Sequence, residues 1–167
     1  MKKRIKSKEE LKEEIENLKR EGKRVVFTNG CFDLIHVGHT RYLEEAKKLG
    51  DILIVAVNSD RSVKEIKGKT RPIIPQDERA EVLCALNFVD YVVLFDEPDP
   101  FRIISYLRPD LLVKGGDWDE DKIIGRDIVE ASGGKVVRIP EIKGASTTDI
   151  IKRIFEIKKQ KKTVLLE

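Results

Sequence analysis

The sequence predicts a doubly wound α/β fold, in which helices cover both faces of a parallel sheet. Five short apolar runs rich in β-branched residues alternate with amphipathic helical patterns. Such runs are typical of strands buried on both faces of a parallel sheet, whose ligands bind at the carboxyl ends of the strands. A chain of 167 residues is long enough for one such domain and short for two.

The first predicted element is a helix over residues 7–21. Ser7 and Glu10 have the spacing of a capping box, and apolar residues follow at helical intervals. We expect this helix to lie before the core, and we divide the chain into an N-terminal helix over 1–22, a single domain over 23–157 and a basic tail over 158–167.

The remaining elements alternate along the chain. Strands are predicted at 24–28, 52–57, 91–94, 111–113 and 136–139. Helices are predicted at 40–49, 75–86, 100–107, 121–132 and 148–159.

The composition argues against nucleic acid and membrane partners. The 33 Lys and Arg residues nearly balance 30 Asp and Glu residues, so the one-sided positive field that duplex nucleic acid requires is absent. No apolar run approaches the ~20 residues that span a bilayer. Cys31 and Cys84 have no metal-binding spacing, which predicts no zinc site and a reduced, cytoplasmic setting.

The strongest functional signal follows the first strand, in the segment TNGCFDLIHVGH at 28–39. Gly30 and Gly38 permit a tight turn, and a helix that starts near Gly38 presents free N–H groups to phosphate. His36 and His39 can lie on one side of the first helical turn and bind the same anion. A pair of capping histidines and a metal site are the alternatives, although two histidines without a third ligand make a weak zinc site. The pattern favours a triphosphate clamp.

A second phosphate-binding candidate begins the last predicted helix, at Ser146, Thr147 and Thr148. Hydroxyl residues also cap helices on their own account, and both roles can coexist. Between the two motifs, residues 57–72 read as a basic loop. Its cations could close over a triphosphate or bind the phosphate of a second substrate, with a solvated surface loop as the alternative.

Another candidate lies where the fourth strand ends, in the run from Lys114 to Trp118. Glycines permit close approach of the backbone, and the single Trp can form a pocket wall or simply pack. Asp33 and Asp60 could bind sugar hydroxyls. Asp33 could instead help to hold magnesium indirectly or cap a turn.

The segment TNGCFDLIHVGHTRYLEEAKKLGD resembles the HxGH signature of the cytidylyltransferase-like nucleotidyltransferases, which have a Rossmann-like fold. The resemblance implies that His36 and His39 stabilise charge at the α-phosphate while a substrate phosphate attacks in line and pyrophosphate leaves. Residues 146–148 resemble that family's ISSTxxR motif, which holds the β- and γ-phosphates. Ala145 and Ile151 depart from the motif, so its arginine has no assigned counterpart.

The resemblance also implies roles for other residues. Lys67 and Arg71 would bind phosphate, and Arg79 would complete the phosphate site unless it is an ion-pair partner on a helix surface. The implied catalytic residues are His36, His39 and Lys67. The implied nucleotide-binding residues are Thr28, Asn29, Gly30, Phe32, Gly38, Arg79, Lys114, Gly115, Ser146, Thr147 and Thr148. The implied residues for the second substrate are Asp33, Asp60, Arg71, Asp117 and Trp118.

Four segments together resemble the adenylyltransferase domain of ADP-heptose synthases: 25–51, 53–73, 109–118 and 145–154. This implies transfer of AMP from ATP to a heptose 1-phosphate, giving a precursor of the lipopolysaccharide core. Mg²⁺ would be held chiefly by triphosphate oxygens and water, with few or no protein ligands. A separate sugar kinase would make the substrate, and the family is compatible with a homo-oligomer. A glycerol-3-phosphate cytidylyltransferase and a non-catalytic nucleotide-binding module are the alternatives.

Overall fold

The computed structural model describes residues 4–116, 119, 122–140 and 144–164, and for residues 160–164 the backbone alone. The helices are α1 (Lys8–Arg20), α2 (Val37–Lys47), α3 (Asp60–Lys67), α4 (Gln76–Cys84), α5 (Phe101–Leu107), α6 (Arg126–Ala131) and α7 (Thr147–Val164). The strands are β1 (Val25–Gly30), β2 (Ile52–Asn58), β3 (Tyr91–Phe95), β4 (Leu111–Gly115) and β5 (Lys135–Ile139).

The five strands form one sheet in the order β3-β2-β1-β4-β5, and every neighbouring pair is parallel. The predicted doubly wound parallel sheet is therefore confirmed. Chain order reverses between β1 and β4, which makes their carboxyl ends the switch point where such sheets bind ligands.

Pairing at this switch point stops early. β1 pairs with β2 along its whole length, from Val25 opposite Ile52 to Gly30 opposite Val57. With β4 it pairs only through Val26 and Phe27, opposite Leu111 and Leu112. The carboxyl halves of β1 and β4 are thus not paired with each other, and a crevice opens between them.

The N-terminal helix belongs to the core, so the expectation that it lies before the core is wrong. Leu11 and Ile15 are fully buried against the sheet face that α5 and α6 also cover. The amide of Lys6 donates to the carbonyl of Val92 at 3.0 Å, which places the helix beside β3. The predicted capping box is present between Ser7 and Glu10.

The other sheet face is covered by α2 and α4, through Leu43, Ala46, Ala80 and Leu83. Both faces of the strands are therefore buried, as continuous apolar runs require. Within the described residues no helix is sufficiently long and apolar to span a bilayer.

Several helices differ from the sequence prediction: α2 begins at Val37 rather than at residue 40, and α6 begins at Arg126 rather than at residue 121. Residues 60–67 form α3 rather than a loop, capped by Ser59, whose Oγ accepts from the Ser62 amide at 3.1 Å. Only Ser62 and Val63 of this helix are buried. Its eight residues include only two apolar side chains, Val63 and Ile66, so its polar composition is also typical of a loop. The C-terminal helix continues to Val164, past the predicted end at 159 and into the predicted tail.

Candidate functional site

The two histidines lie together where β1 leads into α2. His36 is the N-cap residue of α2, and His39 follows in its first turn. Their rings stack, with centroids 3.9 Å apart and planes at 27°. The i, i+3 spacing thus brings both imidazoles to one side of the helix, as the sequence predicts.

Both rings present a polar atom without a protein partner. The Nδ1 atoms of His36 and His39 are buried and have no hydrogen-bond partner among the described residues. Burial lowers the pKa of His39 to about 4, to which the neighbouring His36 contributes, and burial also lowers the pKa of His36. Both rings are therefore neutral at pH 7 without a ligand. Buried polar atoms in proteins are normally satisfied, so this pair indicates that a ligand binds here.

Gly38 allows two helix N-termini to meet beside the histidines. A Cβ atom at Gly38 would lie 2.9 Å from Cε1 and Nδ1 of His36 and 3.1 Å from the Ala145 carbonyl oxygen. A side chain here would separate α2 from the segment that leads into α7. The N-terminus of α2 has no side-chain cap. Free N–H groups and the positive ends of two helix dipoles therefore point into one region, which favours an anion.

The three hydroxyl residues at the start of α7 have different partners, and one of them caps the helix. The Ser146 hydroxyl accepts from the Asp149 amide at 3.1 Å and donates to Asp149 Oδ2 at 2.8 Å. Thr147 donates to the Leu34 carbonyl at 3.4 Å, which ties α7 to the loop after β1. Thr148 is exposed. The capping explanation is confirmed for Ser146, while residues 146–148 still border the histidine region through Ala145.

A cavity of about 340 Å³ occupies the crevice between β1 and β4. It is lined by Asn29, Gly30, Cys31, Phe32, His39, Tyr42, Pro100, Lys114, Gly115, Lys122, Ile123 and Ile124. Six of these residues are predicted from the sequence. Tyr42 could also have been found, because it lies three residues after His39 on the same helix. Pro100 and residues 122–124 fall in segments that the sequence predicts as helices, and they lie just before α5 and α6 in the structure.

Lys114 places an ammonium group in this cavity. Its Nζ donates to Asn29 Oδ1, an amide oxygen rather than a carboxylate. Burial lowers the pKa of Lys114 to about 8. Among the described residues this ammonium has no carboxylate partner. Burial of a charge without such a partner is costly, and an anionic ligand would offset that cost.

Asp33 and Arg71, predicted to bind the second substrate, bind each other. Asp33 is buried and accepts from Arg71 Nε at 2.5 Å. The same carboxylate accepts from the amides of Ile73 and Ile74 at 2.8 and 2.9 Å. The pair thus fastens the segment before α4 to the loop that leads into α2.

Arg79 is an ion-pair partner of Asp60, as one of the two alternatives predicts, but it lies inside the protein and not on a helix surface. Its side chain is 1% exposed. The guanidinium donates to the carbonyls of Ile74, Cys31 and Asn58 and to Asp60 Oδ1. It therefore joins the carboxyl ends of β1 and β2 to α3 and α4. Its ion-pair partner, Asp60, is the residue that the sequence predicts to bind the sugar.

The other predicted residues fall in different settings. Thr28 is fully buried, with its hydroxyl oxygen 2.6 Å from that of Tyr42, so its side chain lies behind the cavity wall. Lys67 is the exposed last residue of α3. Asp117 and Trp118 lie outside the described residues. In the described part of the chain, no group of three or more His, Cys, Asp or Glu side chains is placed to hold a metal ion.

Comparison with known proteins gives one family and a set of similar chains. The cytidylyltransferase-like family model matches residues 27–159. The protein named bifunctional protein HldE of Syntrophotalea carbinolica is 51% identical over 152 residues, which are 91% of this chain and 31% of that protein. Its namesake from Geobacter sulfurreducens is 53% identical over 83% of this chain and 28% of its own length. The chain thus spans about a third of these curated relatives.

Two solved structures are similar in fold. The lipopolysaccharide core biosynthesis protein of Thermoplasma volcanium aligns with a TM-score of 0.63 and 34% identity, over 73% of this chain and all of that one. The pantoate-β-alanine ligase of Francisella tularensis aligns with a TM-score of 0.59 over 87% of this chain and 74% of that one. At 15% identity, the second match shows the fold alone.

Proposed function

The chain belongs to the cytidylyltransferase-like family, and from that premise we propose that it transfers AMP from ATP to D-glycero-β-D-manno-heptose 1-phosphate. The products are ADP-heptose and pyrophosphate. One observation carries the nucleotidyl transfer: two stacked histidines lie where two helix N-termini meet, and their buried Nδ1 atoms have no partner in the described part of the chain. The choice of adenine and heptose is supported by similarity to the two HldE proteins and to the lipopolysaccharide core biosynthesis protein.

The histidines act on the charge of the reacting phosphate. An oxygen of the sugar phosphate attacks the α-phosphorus of ATP in line, and the bond from that phosphorus to the oxygen of the leaving pyrophosphate breaks. The acceptor is already an anion at neutral pH, so no general base is required. His36 and His39, whose rings stack on one side of α2, stabilise the negative charge that develops.

The remaining phosphates extend toward the start of α7. The N–H groups there and the hydroxyls of Thr147 and Thr148 contact the β- and γ-phosphates in this proposal. Lys114, on the opposite side of the crevice, supplies a positive charge to the reacting phosphates from the cavity wall. Lys67, exposed at the end of α3, closes over the phosphates.

Mg²⁺ enters with the nucleotide and neutralises part of the triphosphate charge. Its ligands are expected to be triphosphate oxygens and water, the usual mode for this ion. Asp33 and Asp60 are the two carboxylates that the sequence predicts at the site. They already pair with Arg71 and Arg79, which supports an ion held without them.

The proposed reaction implies a cellular compartment and a class of enzyme that makes its sugar phosphate substrate. ATP and sugar phosphates are cytoplasmic metabolites, so we place the reaction in the cytoplasm. The acceptor carries a phosphate at its anomeric carbon, and a sugar kinase is the class of enzyme that provides it. A homo-oligomer is compatible with the proposal.

The test is pyrophosphate release measured with each of ATP, CTP, GTP and UTP, in the presence of Mg²⁺ and either heptose 1-phosphate or glycerol 3-phosphate. We expect turnover with ATP and heptose 1-phosphate. Turnover with CTP and glycerol 3-phosphate would replace the proposed substrates. Nucleotide binding without turnover of any pair would contradict an enzymatic role.

A further inference from the structure

Tyr42 crosses the crevice at the point where the β1–β4 ladder stops. From α2, its hydroxyl donates to the carbonyl of Val113 at 3.0 Å and lies 2.6 Å from Thr28 Oγ1. A phenol has one proton to donate, so the Thr28 hydroxyl is the donor in the second contact. Thr28 and Val113 are the first residues of β1 and β4 beyond their last paired positions.

The tyrosine hydroxyl thus takes the place of a ladder bond between the two strands. A buried backbone carbonyl must be satisfied, and the partner strand normally satisfies it. Here the Val113 carbonyl is satisfied by a side chain from a helix, so separation of the strands at this position does not leave that carbonyl unpaired. Burial raises the pKa of Tyr42, which keeps the phenol protonated and able to donate.

The same side chain connects the crevice to the histidines. Tyr42 follows His39 by three residues on α2, and its ring lines the cavity. Atoms of the ring lie 3.5 Å from the position of a Cβ built on Gly115, so the ring packs beneath the end of β4. One residue therefore fixes the distance between both strands and the helix that carries the clamp.

We propose that Tyr42 is a positioning residue that sets the width of the nucleotide-binding crevice, by holding the carboxyl halves of β1 and β4 apart through its hydroxyl. The inference rests on the proposed function, because the crevice is taken as the nucleotide site. Loss of the hydroxyl leaves the Val113 carbonyl unsatisfied, and the nearest remedy is closer approach of β1. Nucleotide binding then weakens, while the histidines that stabilise the reacting phosphate stay in place.

The first test compares Tyr42→Phe with Tyr91→Phe. Each variant removes one tyrosine hydroxyl, and Tyr91 donates to Glu14 Oε1 at 3.0 Å on the edge strand β3, away from the crevice. We expect Tyr42→Phe to raise KM for ATP about tenfold, the equivalent of one buried hydrogen bond, with kcat within about threefold of the parent. Tyr91→Phe should leave both constants within about twofold.

The Thr28 variants supply an independent pair. Thr28→Val removes the hydroxyl at nearly constant shape and should raise KM for ATP in the same direction. Thr28→Ser keeps the donor and should raise KM for ATP less than Thr28→Val does. This pair also keeps the inference testable if Tyr42→Phe does not fold, which thermal unfolding and circular dichroism would report.

Three results would overturn the inference: a KM within about twofold of the parent for Tyr42→Phe, an equal rise for Tyr91→Phe, or no rescue by Thr28→Ser. Failure of the proposed function is a different result, because the unaltered protein would then turn over no substrate pair. In that case a crystal structure of Tyr42→Phe decides. New β1–β4 hydrogen bonds beyond Phe27 and Leu112 support the inference, and an unchanged separation overturns it.

Discussion

The two sides of the carboxyl end of β1 differ in whether their buried polar groups have partners within the protein. On the side of α2 and β4, the buried Nδ1 atoms of His36 and His39 have no partner among the described residues, and Lys114 Nζ donates to an amide oxygen, that of Asn29. On the side of α3 and α4, charges are matched within the protein, as in the pairs Asp33–Arg71 and Asp60–Arg79.

This difference distinguishes groups that bind a ligand from groups that stabilise the shape of the site. A buried polar group without a protein partner destabilises the folded state until a ligand satisfies it. A matched buried pair stabilises the shape of the site and is costly to break from either end. We therefore expect variants on the first side to change turnover and variants on the second side to change folding.

The largest effect is expected for His39→Ala. Loss of a fixed group that stabilises transition-state charge should lower kcat roughly 10²–10³-fold with little change in folding. Steady-state pyrophosphate release measures the loss, and Arg61→Met, an exposed cation paired with Asp96 on the other side, is the control. A folded His39→Ala variant that keeps more than a tenth of the parental kcat would contradict the assignment.

Arg79→Met should act on stability instead. The change leaves the carbonyls of Cys31, Asn58 and Ile74 without their donor, and it removes the partner of Asp60. Breaking such a buried pair should lower the free energy of unfolding by about 3 kcal/mol. Urea unfolding measures it, against a loss below about 1 kcal/mol for the exposed pair in Arg61→Met. Equal losses in the two variants would show that burial of Arg79 contributes nothing.

The comparison also explains how far the sequence could predict the site. The clamp was predictable because it depends on local spacing, with His36, Gly38 and His39 in one turn. The five strands were predictable because burial on both faces leaves continuous apolar runs. The pairing of Asp33 with Arg71 joins residues 38 positions apart, and no local pattern shows it.

Burial was harder to predict for polar residues than for apolar ones. Arg79 reads as an ordinary helix-surface residue, and only the three chain segments that meet around it make it internal. Thr28 reads as the start of a binding loop, but the hydroxyl of Tyr42 engages it from α2. In both cases the decisive partner comes from a distant element, so propensity and spacing carry no signal.

The two sides should also respond to acid at different pH values. The pKa of His39 is lowered to about 4 in the folded protein, against about 6.5 when unfolded. Between these values the unfolded chain binds more protons, so stability should fall as pH decreases from about 6.5 toward 4. On the matched side, hydrogen bonding by Arg61 lowers the pKa of Asp96 below its ordinary value. The contribution of Asp96 to stability is therefore lost only as pH falls below the ordinary pKa of an aspartate, which is below the range of the His39 effect.

Urea unfolding at pH 7 and pH 5 separates the two contributions. The parent should lose on the order of 1 kcal/mol between these conditions through His39, and His39→Asn should lose less. Asp96→Asn should not alter the difference between pH 7 and pH 5. An equal loss in the parent and in His39→Asn would mean that His39 is not held neutral by the fold.

The smallest effect is expected where a single hydroxyl both caps a helix and borders the site. Ser146→Ala removes the bond to the Asp149 amide and should destabilise the first turn of α7 by about 1 kcal/mol. Ser7→Ala removes the corresponding cap of α1, far from the crevice, at a similar cost. Hydrogen exchange of the Asp149 and Glu10 amides measures the two local losses. Only Ser146→Ala should also raise KM for ATP, by a few fold, because α7 must present its first N–H groups to phosphate. If both variants leave KM unchanged, the start of α7 is a cap and nothing more.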